Sequence, residues 1–137
     1  MLIYAKFPAF IYNKQTVIPI KTWEYPRANE FSRRPYAIHV KIGHWDGVVI
    51  NIHTDPDAAQ EETIRLENVV KYAKRKFRTE NLVIAGDLNC SNYRTRDNKA
   101  GFGMSNPLEY PGPDADTTTH GRKEALDHII WDGTQTQ

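Results

Sequence analysis

Leu82-Val83-Ile84-Ala85-Gly86-Asp87-Leu88-Asn89 is the stretch on which the fold of this chain turns. Four apolar residues in a row, bounded by Gly86, read as a buried strand. A carboxylate and an amide follow at its tip, two residues apart. Side chains alternate across a strand, which predicts Asp87 and Asn89 on the same side. Such a tip presents an acceptor and an amide together to a ligand or ion. Gly-Asp and Asn are also ordinary strand terminators, so these eight residues alone fit a turn equally well.

A second strand ends in a similar way. Val48-Val49-Ile50-Asn51-Ile52-His53 is a short apolar run that finishes on an imidazole. Thr54-Asp55-Pro56-Asp57 then reads as a helix start, with Asp55 as N-cap and Pro56 at the first helical position. Leu66, Val69, Val70, Ala73 and Phe77 continue as an apolar stripe at helical spacing. A strand, a helix and a strand in succession tend to place both strands in one sheet. Their C-terminal ends then share an edge, which brings His53 near Asp87 and Asn89. A lone strand-end His is more often structural, whereas a His converging with Asp-x-Asn is more often a site.

The remaining elements read as β-rich with loops. Ala9 to Tyr12 and Val17 to Trp23 are expected as a hairpin around Asn13-Lys14-Gln15-Thr16. Tyr36 to Ile42 and Val48 to His53 are expected as a second hairpin, with Gly43 and Asp46-Gly47 supplying turn chemistry. His39 falls on the polar face of its strand and is expected to be solvated. Tyr93 to Asp116 lacks periodicity and reads as one long loop. Lys71, Lys74, Arg75, Lys76 and Arg78 crowd the helix C-terminus, where the helix dipole accounts for them.

Four segments together resemble the endonuclease/exonuclease/phosphatase superfamily, and its deoxyribonuclease I-like branch most closely. Phe31-Ser32-Arg33-Arg34-Pro35 is similar to that branch's F-S-R-x-P element. Asn51-Ile52-His53-Thr54-Asp55-Pro56 is similar to its strand ending in the catalytic His. Gly86-Asp87-Leu88-Asn89 fits its G-D-[FL]-N motif. Leu126-Asp127-His128-Ile129-Ile130 is similar to its late [YL]-D-x-[IV] strand. The likeness runs from about Ala9 to Trp131. It implies an α/β (α+β) fold: a partial four-layer deoxyribonuclease I-like β-sandwich, mostly antiparallel, with one long helix. The family's upstream metal-binding Glu has no counterpart between Met1 and Tyr12, and its terminal Ser-Asp-His element has none before Gln137. Residues 1–137 are therefore expected to form a single, truncated domain of this type.

The resemblance also implies roles. His53, Asp87, Asn89 and Asp127 would be catalytic. Asp87 would orient the attacking water or hold a metal, together with Asn89. Asn89 would also hydrogen-bond a phosphate oxygen. His53 would act as general acid or base, since an imidazole titrates near neutrality. Asp127 would orient the family's second His. Arg33 would contact a substrate phosphate. In Thr117-Thr118-Thr119-His120, Thr119 is the hydroxyl assigned to phosphate, though a Thr run is also a common turn or β-edge segment. Arg94 and Arg96 follow the Asp87/Asn89 strand in a loop at the same rim. The implied cofactor is Mg2+, with Ca2+ or Mn2+ as alternatives, because hard divalent cations take carboxylate and amide oxygens.

Composition is compatible with this without pointing to it. Charged residues make up 26%, ordinary for a soluble domain, and no apolar run is long enough to span a bilayer. The first residues lack the charged start and long apolar centre of a signal peptide. A net charge of +1 does not by itself announce a nucleic-acid binder. Cys90 is the only cysteine, which excludes an internal disulfide and reads as a small packed residue. Asn89-Cys90-Ser91 fits a glycosylation pattern, but a glycan there would block the site. The expected function is a metal-dependent phosphodiester hydrolase acting as an endonuclease on DNA. The alternative is a weak or inactive fragment serving as a binding or assembly module; a phosphoinositide or sphingolipid phosphodiesterase ranks third. Any activity is expected to be weaker than that of a complete family member. DNA is the expected partner, with no membrane, and homodimerisation or other association through incomplete sheet edges is expected.

Overall fold

The computed structural model describes residues 8–91, 102–104, 107–110, 116–118 and 124–133. The strand–helix–strand segment organises them. β3 (Trp45–His53) and β4 (Leu82–Asp87) pair in parallel, joined by α1 (Ala59–Phe77). Around them, β1 (Val17–Glu24), β2 (Tyr36–Ile42), β5 (Pro107–Tyr110) and β6 (Asp127–Asp132) add antiparallel neighbours, in the order β1-β2-β3-β4-β6-β5. Among the described residues the fold is mixed α/β, with a mostly antiparallel six-stranded sheet and one long helix, as the sequence led us to expect.

Alternation sorts the sheet residues into two faces. Val48, Ile50 and Ile52 of β3, Leu82 and Ile84 of β4, Ala37 of β2 and Ile130 of β6 are buried with Leu66, Val69, Val70 and Ala73 of α1. Their neighbours along each strand, including His53, Asp87 and Asp127, turn to the other face. At one flank Tyr25 is fully buried, with Trp23, Phe31 and Tyr72 edge-on to it. Its hydroxyl donates to Glu30 at 2.7 Å. This aromatic group fixes the segment between β1 and β2 against the helix.

Several local expectations are corrected. Residues 9–12 form no strand: β1 pairs with β2 instead, because β2 offers a full-length antiparallel partner. Asn13 still makes a turn, accepting from the Gln15 amide through Oδ1 and from Thr16 and Val17 through its carbonyl. The preceding segment crosses toward the middle of the sheet, where Phe10 stacks on Tyr36 and Asn51 donates to the Ala9 carbonyl. The β2–β3 turn is the two-residue Gly43-His44, with Gly43 at φ 59, while Asp46 and Gly47 lie inside β3. α1 starts at Ala59, behind a turn in which Asp55 Oδ1 accepts from Asp57 and its carbonyl from Ala58. His39 is not solvated: it is bonded to Asp46 at 2.5 Å and lies against Phe77. The expected long loop contains β5, whose four residues are too few to show a period.

At the end of α1, Lys71 pairs with Glu67 at 2.7 Å and Lys74 with Glu80 at 2.6 Å, so these helix-end cations are matched locally. Among the described residues no helix is long and apolar enough to cross a membrane.

Candidate active site

Three neighbouring strands carry the site on one rung. His53 of β3 is the register partner of Asp87 of β4, and Asp87 is the partner of Asp127 of β6. All three lie at the strand ends, on the face away from α1. His53 Nε2 stands 3.8 Å from Asp87 Oδ2, with the two side chains 45% and 33% exposed. That spacing is too long for a hydrogen bond, so the imidazole and the carboxylate do not engage each other directly.

The tip of β4 is built by close backbone approach. Gly86 has φ 147, and a Cβ placed on it would lie 1.8 Å from the Ile52 carbonyl oxygen of β3. Beyond Asp87 the chain turns, with Asn89 at φ 45 in the left-handed region that Asn tolerates. Asp87 Oδ1 accepts from the Asn89 amide at 2.8 Å. The two residues are therefore neighbours through a tight side-chain-capped turn, and not through strand alternation as expected. Asn89 Nδ2 donates to the Thr54 carbonyl at 2.9 Å. Thr54 is fully buried and stitches the two strand ends together. Its amide donates to the Asp87 carbonyl at 3.0 Å and its hydroxyl to the Leu88 carbonyl at 2.5 Å. Cys90 is half-buried against the core, in keeping with a packing role.

Arg33 reaches the same place from the loop before β2. Its Nη1 donates to the Thr54 carbonyl at 3.2 Å and the His53 carbonyl at 3.4 Å. The adjacent Arg34 is engaged elsewhere, pairing with Glu24 at 3.0 Å. Thr117 supports β6, its Oγ1 accepting from the Leu126 and Asp127 amides at 2.8 and 3.1 Å. Thr118 bonds to Asp116. Thr119, Arg94 and Arg96 lie outside the described residues. The structure thus brings together Arg33, His53, Asp87 and Asn89, with Asp127 on the rung beside Asp87.

Among the described residues no group of three or more His, Cys, Asp or Glu side chains is gathered as a metal cage. The donor types at the tip of β4 nevertheless suit a hard cation: a carboxylate and an amide oxygen, both reachable from solvent.

Two site-building residues escaped the sequence reading. Thr54 looks like an ordinary loop residue. Glu62 looks like a helix-dipole acid in the first turn of α1. Yet Glu62 is 2% exposed. Its Oε1 accepts from the Ser32 amide at 2.6 Å and its Oε2 from the Asp55 amide at 2.8 Å. Its spacing gave a signal: 59, 62, 66, 69, 70 and 73 form one helical face, and the acid sits inside the apolar stripe.

Among the described residues, three carboxyls are held below their ordinary values. Asp55 is lowered from 3.8, first by the Asp57 amide and then by the Ser32 hydroxyl, with Arg33 adding. Glu30 is lowered from 4.5, first by the Tyr25 hydroxyl, and Asp46 from 3.8, first by His39. A lowered carboxyl stabilises the fold above its ordinary value, and that stabilisation is lost as the pH falls through the lowered one. Burial raises Glu109, which acts in the opposite sense. With three against one, denaturant midpoints are expected to decline between about pH 5 and about pH 3. A midpoint that rises across this range would contradict these contacts.

Residues 1–136 match the family model described as Endonuclease/Exonuclease/phosphatase family. The chain is 29% identical over 94 residues to deoxyribonuclease gamma of Homo sapiens, covering 63% of this chain and 31% of that protein. It is similar in fold to a mannosyl-6-phosphatase of Bacteroides thetaiotaomicron, with TM-score 0.64 and 13% identity over 90% of this chain and 55% of that one. It is also similar in fold to D. rerio TDP2 complexed with a single-strand DNA product, with TM-score 0.59 and 16% identity over 90% and 56% of the two chains. The chain therefore spans under a third of the human relative and about half of each solved structure.

Proposed function

Because the chain belongs to the endonuclease/exonuclease/phosphatase family, we propose that the His53–Asp87–Asp127 rung serves metal-dependent phosphodiester hydrolysis, with DNA as the substrate. The observation that carries this reading is the rung itself, which sets a base, an acid and a further carboxylate on adjacent strands at one edge. Arg33 and Asn89 stand at the same edge and supply the donors a phosphate needs.

Hydrolysis of a phosphodiester requires a positioned water, relief of charge on the phosphoryl oxygens, and a proton for the leaving oxygen. His53 moves a proton at Nε2, the nitrogen that faces Asp87. Asp87 Oδ2 orients the water, because Oδ1 is committed to the Asn89 amide. One hydrogen of Asn89 Nδ2 is held by Thr54, and the other is donated to a phosphate oxygen. The Arg33 guanidinium binds phosphate with the nitrogens not occupied by backbone carbonyls. Asp127, the register partner of Asp87, adds an exposed carboxylate at the same edge. Asp87 and Asn89 would hold a hard cation such as Mg2+, with Ca2+ or Mn2+ as alternatives, and when bound it would supply charge neutralisation at the phosphate.

Incubation with supercoiled plasmid tests this directly. Relaxed circles are expected in Mg2+ and none in EDTA. Equal cutting in EDTA would remove the metal from the reading, and no cutting in any divalent cation would remove the nuclease.

A further inference from the structure

Glu62 is the most deeply buried acid among the described residues, and the chemistry above does not use it. It lies one turn into α1, yet both carboxylate oxygens leave the helix. Each accepts a backbone amide from a different loop. Oε1 takes Ser32, the residue before Arg33; Oε2 takes Asp55, the residue after Thr54. The same two loops meet again at the Asp55 carboxyl, which the Ser32 side chain helps to hold below its ordinary value. Arg33 in turn donates to the Thr54 and His53 carbonyls. Phe31 anchors the other end of the Arg33 loop in the core, so the loop is held from both sides.

We propose that Glu62 is a positioning residue: it clamps the Arg33 loop onto the Thr54–Asp55 turn, and so sets the Arg33 guanidinium at the phosphate position beside His53. The assignment of a phosphate to Arg33 rests on the proposed function; the clamp itself does not. The physical ground is that two amides converge on one side chain with two acceptor oxygens. Glu62 is itself buried, and a buried carboxylate is tolerated only where donors satisfy both of its oxygens. Glu therefore holds both loops at once, and no neutral side chain of the same length can. In Glu62→Gln one amide meets the –NH2 group, donor against donor, and one of the two loops is released.

Two readouts test this. By NMR, Glu62→Gln is expected to speed exchange of one of the two amides, Ser32 or Asp55, far more than the other, and to move the Arg33 side-chain N–H signal. Amides of Val83 and Ile84 in β4 are expected to stay protected. Loss of protection in β4 as well, or an unmoved Arg33 signal, overturns the proposal. In hydrolysis of a labelled single-stranded oligonucleotide, Glu62→Gln is expected to raise KM by about tenfold, with a smaller change in kcat. In an Arg33→Ala background the same substitution is expected to add less than about twofold, since a clamp with nothing to position has no further effect. An equal penalty in both backgrounds overturns the positioning role. A wild-type chain that hydrolyses neither the oligonucleotide nor plasmid defeats the proposed function alone, and the NMR result then decides the clamp.

Discussion

Asp87→Asn is expected to lower phosphodiester hydrolysis by on the order of 10²–10⁴ while leaving the melting temperature nearly unchanged. The substitution separates the two jobs of this side chain. Oδ1 caps the turn by accepting from the Asn89 amide, and an Asn at position 87 keeps that acceptor. Oδ2 faces His53 across 3.8 Å, and an Asn places a neutral group there. The turn survives while the charge is lost. At 33% side-chain exposure, Asp87 is open enough that swapping its charged group for an amide brings no large packing or desolvation change. Single-turnover cleavage of an oligonucleotide in Mg2+, together with a thermal melt, checks both halves. A variant that cleaves at the wild-type rate shows that Asp87 does not take part in the chemistry. A variant that melts far below the wild type shows that the carboxylate is structural.

The elements that frame the site could be read from sequence because single physical signals dominate them. Runs such as Leu82 to Ala85 and Val48 to Ile50 are short, apolar and rich in β-branched residues beside glycine, which favours a buried strand. The stripe from Leu66 to Phe77 repeats at helical spacing over most of α1. The order strand, helix, strand then fixes parallel pairing, and the rung of His53 with Asp87 follows from the register. What could not be read depends on competition between distant partners. Residues 9–12 lost their expected hairpin because β2 pairs with β1 along its whole length. Asp55 looked like a helix cap, but its carboxylate serves a turn by accepting from the Asp57 amide, and α1 begins later. His39 alternated onto a face that looked polar, yet Asp46 and Phe77 enclose it from across the strand and the helix end. Asn89 reached its neighbour Asp87 through a left-handed turn, a conformation that strand periodicity does not encode. The Thr54 and Glu62 contacts join segments up to 35 residues apart, and local spacing carries no trace of their partners.

Gly86→Ala is expected to be the most damaging single-methyl change in the described chain, costing on the order of 3–5 kcal/mol. Two faults coincide at this position. The added Cβ would lie 1.8 Å from the Ile52 carbonyl oxygen and 2.9 Å from its carbonyl carbon. The φ of 147 is also one that an L side chain rarely adopts. Neither fault can be relieved by rotating a side chain, because the obstructing atoms are backbone. Ile52 is itself 1% exposed and packed among core residues, so β3 cannot retreat without opening the core. Gly43→Ala provides the contrast. Gly43 also has positive φ, at 59, but nothing lies within 4 Å of its Cβ position. Its cost is confined to the left-handed backbone, about 1–2 kcal/mol. Thermal melts of the two variants should therefore differ clearly, with Gly86→Ala lower by more than about 5 °C. The damage at Gly86 also reaches the chemistry. Ile52 pairs with Gly86 on the rung before His53 and Asp87, so forcing β3 and β4 apart there separates the imidazole from the carboxylate. Hydrolysis is expected to fall even at temperatures where the variant remains folded. Equal melting of the two variants would mean that β3 and β4 do not approach as closely as the site requires.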